Sequence, residues 1–308
     1  MTSGDDVLSV DVGGVVLESP VIIASGVWPY ERELWVPKRL RGVGAVCTKA
    51  VTLEERRGNP GHRIWETPSG VLNSIGLQNG GADAFIEKYL PLVGDSGVPF
   101  AVNVAMERPE ETEATLRKVN SRRELIPAVE LNVSCPNVDD GGMSWGLLPE
   151  STARAVSMAR RIWQGPLWVK LTPQAPDIAS VASAAEKAGA DALVVANTWL
   201  GMAIDISTAK PVFERTCAGL SGPAIFPLAL RLVWEVSSAV DIPVVGCGGV
   251  TDYKDCLAML MAGARAVEIG TAMFLDLNAP SEICRGLSEY LASTNLHDLY
   301  DVIGMAKA

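Results

Sequence analysis

The 308-residue chain contains only two histidines, His62 and His297, and none of its six cysteines forms a C-x-x-C pair. A metal centre built from several histidines is therefore excluded. The spacings typical of zinc ribbons and of cysteine-ligated iron–sulfur clusters are also absent from this chain. With so few histidines, we expect any general base to be another residue type.

Long hydrophobic runs are missing as well. Runs such as Ala192–Ala196 fall far short of the roughly 18 apolar residues that cross a bilayer, so no membrane-spanning segment is predicted. Residues 1–6 contain two acids and no basic residue, which is not the layout of a signal or transit peptide. We expect these residues to be a disordered tail and the protein to be cytoplasmic.

Basic residues are outnumbered by acidic ones: the chain has 26 Lys and Arg against 36 Asp and Glu, which gives a formal net charge of -10. This balance opposes binding to nucleic acid, whose phosphates are held by clustered basic residues. The composition is 48% hydrophobic and 20% charged, which is typical of a globular protein with a sizeable core. Disorder over the whole chain is excluded, and free thiols are favoured over disulfides.

The chain alternates short β-branched runs with amphipathic stretches that end in glycine, as in the apolar face from Ile178 to Ala185 before Gly189. This pattern is typical of β/α units around a parallel sheet. Eight runs without a linker predict an α/β fold with a single (β/α)8 TIM barrel over residues 1–308, rather than two doubly wound domains. The predicted strands are Val21–Ala24, Ala45–Lys49, Phe100–Val104, Ala128–Asn132, Leu167–Leu171, Ala192–Asn197, Pro243–Gly246 and Ala266–Ile269.

Two further features frame this barrel. Leu8–Val12 and Val15–Leu17 flank two glycines, which predicts an N-terminal β-hairpin that closes the bottom of the barrel. Residues 51–99 form a long insertion between the second and third strands, with one helix near Ala82–Val93 and a long polar loop. Long loops on the carboxyl side of barrel strands commonly belong to an active site.

Polar residues end the predicted strands. Because barrel enzymes place their active site at the carboxyl ends of the strands, these groups should converge at one mouth. Each alone is more simply a solvated strand end, but eight in register favour a functional site. The strand ends are Ser25-Gly26, Lys49, Asn103, Asn132, Lys170, Asn197-Thr198, Gly248-Gly249 and Gly270-Thr271.

The types of group at this mouth indicate its ligands. Glycines after the last two strands suit a phosphate bound by backbone N–H groups, and two lysines add positive charge. The amides of Asn73, Asn132, Asn137 and Asn197 can donate and accept hydrogen bonds, which suits a flat heterocycle, although asparagine also favours turns. Cys135 directly follows a strand and precedes Pro136, so its thiol is expected at the mouth rather than in the core.

Five strings of residues stand out along the chain: LNSIGLQN (72–79), ELNVSCPN (130–137), VKLTP (169–173), GLSGP (219–223) and GCGG (246–249). In sequence and in order they resemble the motifs of dihydroorotate dehydrogenases. The resemblance covers about Leu8 to Phe274. It implies FMN-dependent oxidation of dihydroorotate to orotate in pyrimidine biosynthesis. Cys135, in place of a serine base, and the lack of an N-terminal extension point away from the membrane-bound branch.

The sequence of residues 73–79 resembles that of the NAD-linked class 1B catalytic subunit more than that of the fumarate-linked class 1A enzyme. Class 1B implies a partner subunit that carries FAD and a [2Fe-2S] cluster, joined to a homodimer core in a heterotetramer. The resemblance implies that Cys135 takes the C5 proton as a hydride leaves C6, and that Lys49 and Lys170 also act in catalysis.

The resemblance also assigns ligands residue by residue. It implies that the substrate is bound by Lys49, Asn73, Gly76, Leu77, Asn132, Asn137, Asn197 and Thr198. It implies that FMN is bound by Ala24, Ser25, Gly26, Lys49, Asn103, Asn132, Lys170, Gly222, Gly248, Gly249, Gly270 and Thr271. The chain departs from the family's pattern at Trp28-Pro29-Tyr30-Glu31, at Met106, at Cys217-Ala218 and at Trp145.

Three alternatives remain at this point. A dihydropyrimidine dehydrogenase-like enzyme would use similar flavin chemistry on a substrate without a carboxylate. A Schiff-base aldolase would use Lys170 as its nucleophile. A barrel without catalytic activity would serve only as a binding scaffold.

Overall fold

The structure, a computed structural model, describes residues 7–134 and 145–307. Eight parallel strands close into a barrel with helices around it, which confirms the predicted (β/α)8 TIM barrel. In chain order the strands are β1 (Val10–Val12), β2 (Val15–Leu17), β3 (Val21–Ile23), β4 (Ala45–Cys47), β5 (Ile64–Thr67), β6 (Gly70–Asn73), β7 (Phe100–Ala105), β8 (Ala128–Asn132), β9 (Leu167–Lys170), β10 (Ala192–Val195), β11 (Trp199–Met202), β12 (Ile204–Asp205), β13 (Lys210–Pro211), β14 (Cys217–Ser221), β15 (Val244–Cys247) and β16 (Ala266–Ile269).

The barrel strands follow one another as β3, β4, β7, β8, β9, β10, β15 and β16 before closing on β3. Their residues are almost all buried, as expected for parallel strands covered by helices outside and packed side chains inside. Each lies within two residues of its predicted bounds. Continuous β-branched runs of four to six residues are therefore a sufficient signal for these strands.

Helices pack around the barrel, and their ends carry recognisable signals. The side chain of Asp177 caps α5, and Asp252 caps α7, by accepting hydrogen bonds from backbone N–H groups of the first turn. The helices are α1 (Gly81–Ala84), α2 (Leu90–Gly94), α3 (Pro109–Asn120), α4 (Pro149–Ile162), α5 (Ile178–Lys187), α6 (Phe226–Ser237), α7 (Tyr253–Met261), α8 (Ala272–Leu275) and α9 (Ala279–Thr294), with a π-helical turn at Phe85–Tyr89 between α1 and α2.

The N-terminal hairpin of β1 and β2 lies at the amino ends of the barrel strands. Val12 O accepts a hydrogen bond from Trp168 Nε1 at 3.1 Å, near the start of β9. At the turn, Gly13 has φ +58, and a Cβ on it would lie 2.6 Å from Asp191 O, just before β10. A side chain at this turn would therefore collide with the barrel. The antiparallel pairing of β1 with β2 confirms the predicted hairpin.

A second sheet lies beside the carboxyl ends of the barrel strands, and the sequence analysis did not predict this sheet. Strands β11, β14, β6 and β5 pair antiparallel in that order, and β12 pairs with β13. The polar loop expected within 51–99 therefore contains a hairpin, β5–β6. Gly70 begins β6, and Gly201 and Gly219 lie within β11 and β14. Because glycine weakens a strand pattern, pairing between distant segments decided the structure here.

Among the described residues, no helix combines the length and the apolar character that spanning a membrane requires.

Candidate active site

The carboxyl ends of the parallel barrel strands form a single rim, and hydrogen bonds join neighbouring ends. Ala24 N donates to Ile269 O at 2.9 Å, which links the ends of β3 and β16. Ser25 Oγ donates to Thr48 O at 2.8 Å, which links β3 to β4. The ends of β16, β3 and β4, with the polar residues predicted there, are therefore fixed relative to one another.

Three polar side chains meet on one side of the rim. Asn197 Nδ2 donates to Asn132 Oδ1 at 3.4 Å and also to Ser134 Oγ. Ser134 N donates to Asn132 Oδ1 at 3.1 Å. Two predicted substrate-binding amides, on strands separated by β9, are thus brought together, and Ser134 joins them. This amide cluster (Asn132, Ser134 and Asn197) offers donors and acceptors without net charge.

A second group of predicted substrate residues lies where the side sheet approaches the rim. Asn73 Nδ2 donates to Gly219 O at 3.2 Å. A Cβ on Gly219 would lie 2.2 Å from Thr198 Oγ1, so glycine permits this close approach. Downstream of Asn73, Gly76 has φ +71 and Leu77 has φ +54. A positive φ at leucine is uncommon, and such strain is concentrated at functional sites.

Glycines line the part of the rim at β15 and β16. Gly248 and Gly249 have φ +138 and +75, and a Cβ on Gly249 would lie 2.7 Å from the backbone of Phe226 at the start of α6. Gly222 precedes α6 with φ +98. Thr271 Oγ1 donates to Ser221 Oγ at 2.8 Å. Consecutive left-handed glycines beside a helix start form a backbone surface of the kind that binds phosphate.

Lys49, which follows β4, is half-buried. Burial lowers the pKa of its ammonium, and the nearby guanidinium of Arg63 lowers it further. Arg63 itself donates to Asn59 O, Gln78 Oε1 and Arg57 O, which fixes it in the insertion. Two cations are therefore held near each other, an arrangement that favours an anionic ligand.

Lys170 and Asn103 lie inside the barrel, below the mouth. Lys170 is 4% exposed and its Nζ forms an ion pair with Glu268 Oε2, with Glu130 Oε1 at 3.9 Å. Asn103 is fully buried and its Nδ2 donates to Glu130 Oε1. The sequence indicated both residues as strand ends, but it did not predict that two buried carboxylates would hold them.

The charge of Lys170 depends on its neighbours. Burial alone lowers the pKa of its ammonium, but the neighbouring acids Glu130 and Glu268 outweigh burial and hold the pKa above its usual value. Burial raises the pKa of Cys247 to about 12, so Cys247 is a neutral thiol near pH 7, and the two acidic side chains keep Lys170 ionised. A protonated amine is not a nucleophile, which argues against a Schiff-base aldolase.

Cys135 and Asn137 lie outside the described residues, so the structure places neither. The chain leaves the described region at Ser134, within the amide cluster, and returns at Trp145. Trp145 is 7% exposed and its Nε1 donates to Glu107 O at 2.8 Å.

Sequence reasoning missed Ser134, Arg63, Glu130, Glu268 and Cys47. A signal existed for the two acids, because each stands within an apolar strand, as in Val129-Glu130-Leu131 and Val267-Glu268-Ile269. Acids are almost never fully buried unless they are paired, so an acid in such a run predicts a buried partner. Arg63 and Ser134 lie in loops and carried no such signal.

The site fits a flat, anionic cofactor. A Cβ on Gly26, which has φ +81, would meet nothing within 4 Å, and one on Gly270 would meet nothing closer than 3.7 Å. The backbone therefore leaves room at these points of the rim. Glycine amides on one side and a buried ammonium on the other supply the hydrogen bonds and charge that such a molecule needs.

The pattern of one protein family, dihydroorotate dehydrogenase, matches residues 7–291 of the chain. Several relatives match nearly the whole length of the chain. A protein of Thermoanaerobacter sp. (strain X514) is 45% identical over 300 residues, which are 97% of this chain and 99% of that protein. A protein of Petrotoga mobilis is 45% identical over 296 residues, 96% of this chain and 98% of that one. One of Bacteroides thetaiotaomicron is 40% identical over 297 residues, 96% and 98% of the two chains.

All three relatives are named dihydroorotate dehydrogenase B (NAD(+)), catalytic subunit. Among solved structures, a crystal structure of DHODH in complex with ferulenol from Eimeria tenella superimposes with a TM-score of 0.81. It is 20% identical, and the match covers 100% of this chain and 90% of that one. At that identity the likeness concerns the fold alone.

Proposed function

The chain belongs to the dihydroorotate dehydrogenase family, and on that premise we propose that it oxidises dihydroorotate to orotate at the mouth of its barrel. The observation that carries the proposal is the amide cluster. It joins Asn132 and Asn197 to Ser134, the residue that precedes Cys135 in the sequence. An uncharged set of donors and acceptors suits the N–H and C=O groups of a pyrimidine ring.

The substrate is held by Lys49, Asn73, Gly76, Leu77, Asn132, Asn137, Asn197 and Thr198. Lys49 meets the substrate carboxylate, and Arg63 reinforces the positive potential around it. The two amides of the cluster bind the ring edge. The half-burial of Lys49 supports this role, since a charge pair is stronger where water is partly excluded.

The cofactor is FMN, held within a single flavin-binding domain by Ala24, Ser25, Gly26, Lys49, Asn103, Asn132, Lys170, Gly222, Gly248, Gly249, Gly270 and Thr271. When bound, FMN accepts the hydride that leaves C6 of the substrate. The glycines at β15 and β16 hold its phosphate through backbone N–H groups. Lys170 supplies positive charge to the isoalloxazine ring from the barrel interior.

Cys135 is the base. Its sulfur takes the proton from C5 while two electrons and a proton leave C6 as a hydride, so that the ring gains one C=C bond. Ser134, the residue before it, is held by Asn132 and Asn197, which supports placement of the segment beside the substrate-binding amides.

Electrons pass to NAD through a partner subunit that carries FAD and a [2Fe-2S] cluster, and two copies of each subunit form a heterotetramer.

Exposed apolar side chains of β11, β12 and the turn after them support a homodimer of this chain at the core of the heterotetramer. Leu200, Met202 and Ile204 are exposed there, and Ile206 is 94% exposed. Apolar surface of this kind marks an interface.

Two measurements test the proposal. Purified protein, reconstituted with FMN, should be reduced by dihydroorotate and not by dihydrouracil, which lacks the carboxylate for Lys49. The reverse preference, or a protein that binds no FMN, would contradict the proposal. Purification from the native host should yield a partner with FAD and iron–sulfur absorbance and dihydroorotate-dependent reduction of NAD. Turnover with fumarate and without a partner would instead indicate the class 1A alternative.

A further inference from the structure

Glu130 and Glu268 are fully buried acids on opposite sides of the barrel. Glu130 lies in β8 and Glu268 in β16, and three strands separate them in either direction around the ring. Their side chains can therefore meet only across the interior. Sγ of Cys47 and one carboxylate oxygen of each acid all lie within 4.8 Å of one another.

The hydrogen bonds of the two acids leave one oxygen of each without a partner. Glu130 Oε1 accepts from Cys47 Sγ at 3.1 Å and from Asn103 Nδ2, and Glu268 Oε2 accepts from Lys170 Nζ. Glu130 Oε2 and Glu268 Oε1 are buried and have no partner among the described residues when both acids are ionised. The two carboxyl groups lie within hydrogen-bonding reach of each other. A hydrogen bond between them needs a proton on one acid, because a carboxylic acid donates where a carboxylate can only accept.

The charges in this cluster agree with one shared proton. Two buried carboxylates facing one ammonium would leave a net negative charge without water, which is costly. Of the titratable groups that face Glu268, Lys170 on β9 is ionised, whereas burial raises the pKa of both Cys47 on β4 and Cys247 on β15. Burial, followed by the charge of Glu130, raises the pKa of Glu268 to about 8. Lys170 and hydrogen bonds lower that of Glu130 in spite of its burial.

We propose that Glu268 and Glu130 form a carboxylic acid–carboxylate pair that holds one proton inside the barrel, and that this proton sets the net charge of the cluster that Lys170 forms with the two acids beneath the bound cofactor. Glu268 is thus a positioning residue that acts through Lys170. The link to the cofactor rests on the proposed function, whereas the shared proton does not.

The pair couples proton uptake to cofactor reduction. Reduced flavin carries more negative charge than oxidised flavin, and this charge makes the pair hold its proton more tightly. Above pH 8, where the pair has lost its proton, reduction of the cofactor therefore draws one proton from solvent into the barrel. The equilibrium constant for reduction of the cofactor then falls by up to tenfold more per pH unit than it would without the pair. For a two-electron couple, this is an extra fall in midpoint potential of about 30 mV per pH unit.

The test uses the FMN-loaded chain and its Glu268→Gln variant, with Glu124→Gln on the exposed turn at Arg123–Leu125 as the matched control. Glutamine keeps an oxygen for Lys170 and an N–H for Glu130 but cannot titrate. The midpoint potential of bound FMN is measured from pH 6 to 10 against a reference dye. We expect a steeper fall with pH in the wild type and control than in Glu268→Gln, mainly above pH 8.

A second measurement does not involve the cofactor. The free energy of unfolding of the apoprotein is measured across the same range and down to pH 5. An unfolded glutamate ionises near about 4.3, so the stability contributed by a protonated, folded Glu268 is full below that pH. It falls as the pH rises to about 8, the pKa of the folded group. Glu268→Gln should lack this fall, and the control should keep it.

The outcomes separate the two proposals. Identical pH dependence of stability in wild type and Glu268→Gln would overturn the shared proton. The link to the cofactor would be overturned if the pH dependence of stability differed between wild type and Glu268→Gln as expected, while the FMN midpoint potential fell equally steeply with pH in both. That result would leave the proposed function intact. A chain that binds no FMN would overturn the proposed function and that link together. If Glu268→Gln does not fold, Glu130→Gln replaces it, because loss of either acid removes the shared proton.

Discussion

Asn197 Nδ2 lies 3.4 Å from Asn132 Oδ1, so the ends of β10 and β8 are joined on one side of the rim, past the intervening strand β9. Neither strand is the other's neighbour in the sheet. The hydrogen bond therefore fixes the relative position of two side chains that come from motifs 65 residues apart in the sequence.

Replacement of Asn197 by alanine should weaken substrate binding. It removes one hydrogen-bond donor from the ring site and releases Asn132, and an unmade hydrogen bond costs about 1–3 kcal/mol. We expect KM for dihydroorotate to rise by roughly 5- to 150-fold, from that same energy. Steady-state kinetics measures the change. Gln164→Ala, at the amino ends of the strands, is the control, and an unchanged KM in Asn197→Ala would contradict the assignment.

Cys135→Ser should slow the reductive half-reaction by roughly 10²–10⁴, which is the usual contribution of a positioned base. Serine is a far weaker base than a thiolate near neutral pH, whereas binding of FMN should not change. Stopped-flow absorbance of the flavin after mixing with dihydroorotate measures this rate. The exposed Cys217→Ser serves as the control. Full activity of Cys135→Ser would refute its role as the base.

The rate of the reductive half-reaction should rise from neutral into alkaline pH. A cysteine acts as a base only as its thiolate, and an unperturbed thiol ionises near about 8.5. The same stopped-flow measurement between pH 6 and 10 gives the profile. A rate that is constant across this range, with the chemical step limiting, would argue against a thiol base.

Lys170→Met should destabilise the apoprotein. It leaves the buried pair of Glu130 and Glu268 without its cation, and removal of one partner of a buried ion pair costs about 3–5 kcal/mol. Chemical denaturation measures the loss, and Lys187→Met at the end of α5 is the control. In the protein that remains folded, a shifted visible spectrum or weaker binding of FMN is expected. If Lys170→Met were as stable as the control, Lys170 would not neutralise the buried acids.

Gly249→Ala should reduce both stability and FMN binding. Its φ of +75 is unfavourable for alanine, and its Cβ would lie 2.7 Å from the backbone of Phe226. Gly97 also has φ +75, but a Cβ there meets nothing within 4 Å. Gly97→Ala should therefore cost only the conformational penalty of about 1–2 kcal/mol. Equal losses in the two variants, measured by denaturation, would show that the contact with Phe226 is unimportant.

Much of the barrel could be predicted from the sequence. Runs such as Ala192–Val195 and Ala266–Ile269 are buried on both faces, so each must be almost wholly apolar, and its local composition reveals it. The strand ends followed directly, and with them most of the candidate site residues. The side sheet was not predictable in this way, because Asn73 and Gly219 pair across 146 residues and their strands are short and interrupted by glycine.

The order of residues alone determined the eight-strand barrel, its hairpin and the polar groups that stand at the strand ends, because these depend on local patterns of two to ten residues. Only the closed tertiary structure decided that Glu268 and Glu130 meet across the interior and that Lys170 lies between them. That arrangement depends on which strands oppose each other when the sheet closes. Because water is excluded there, the charge state of each of the three groups depends on the other two.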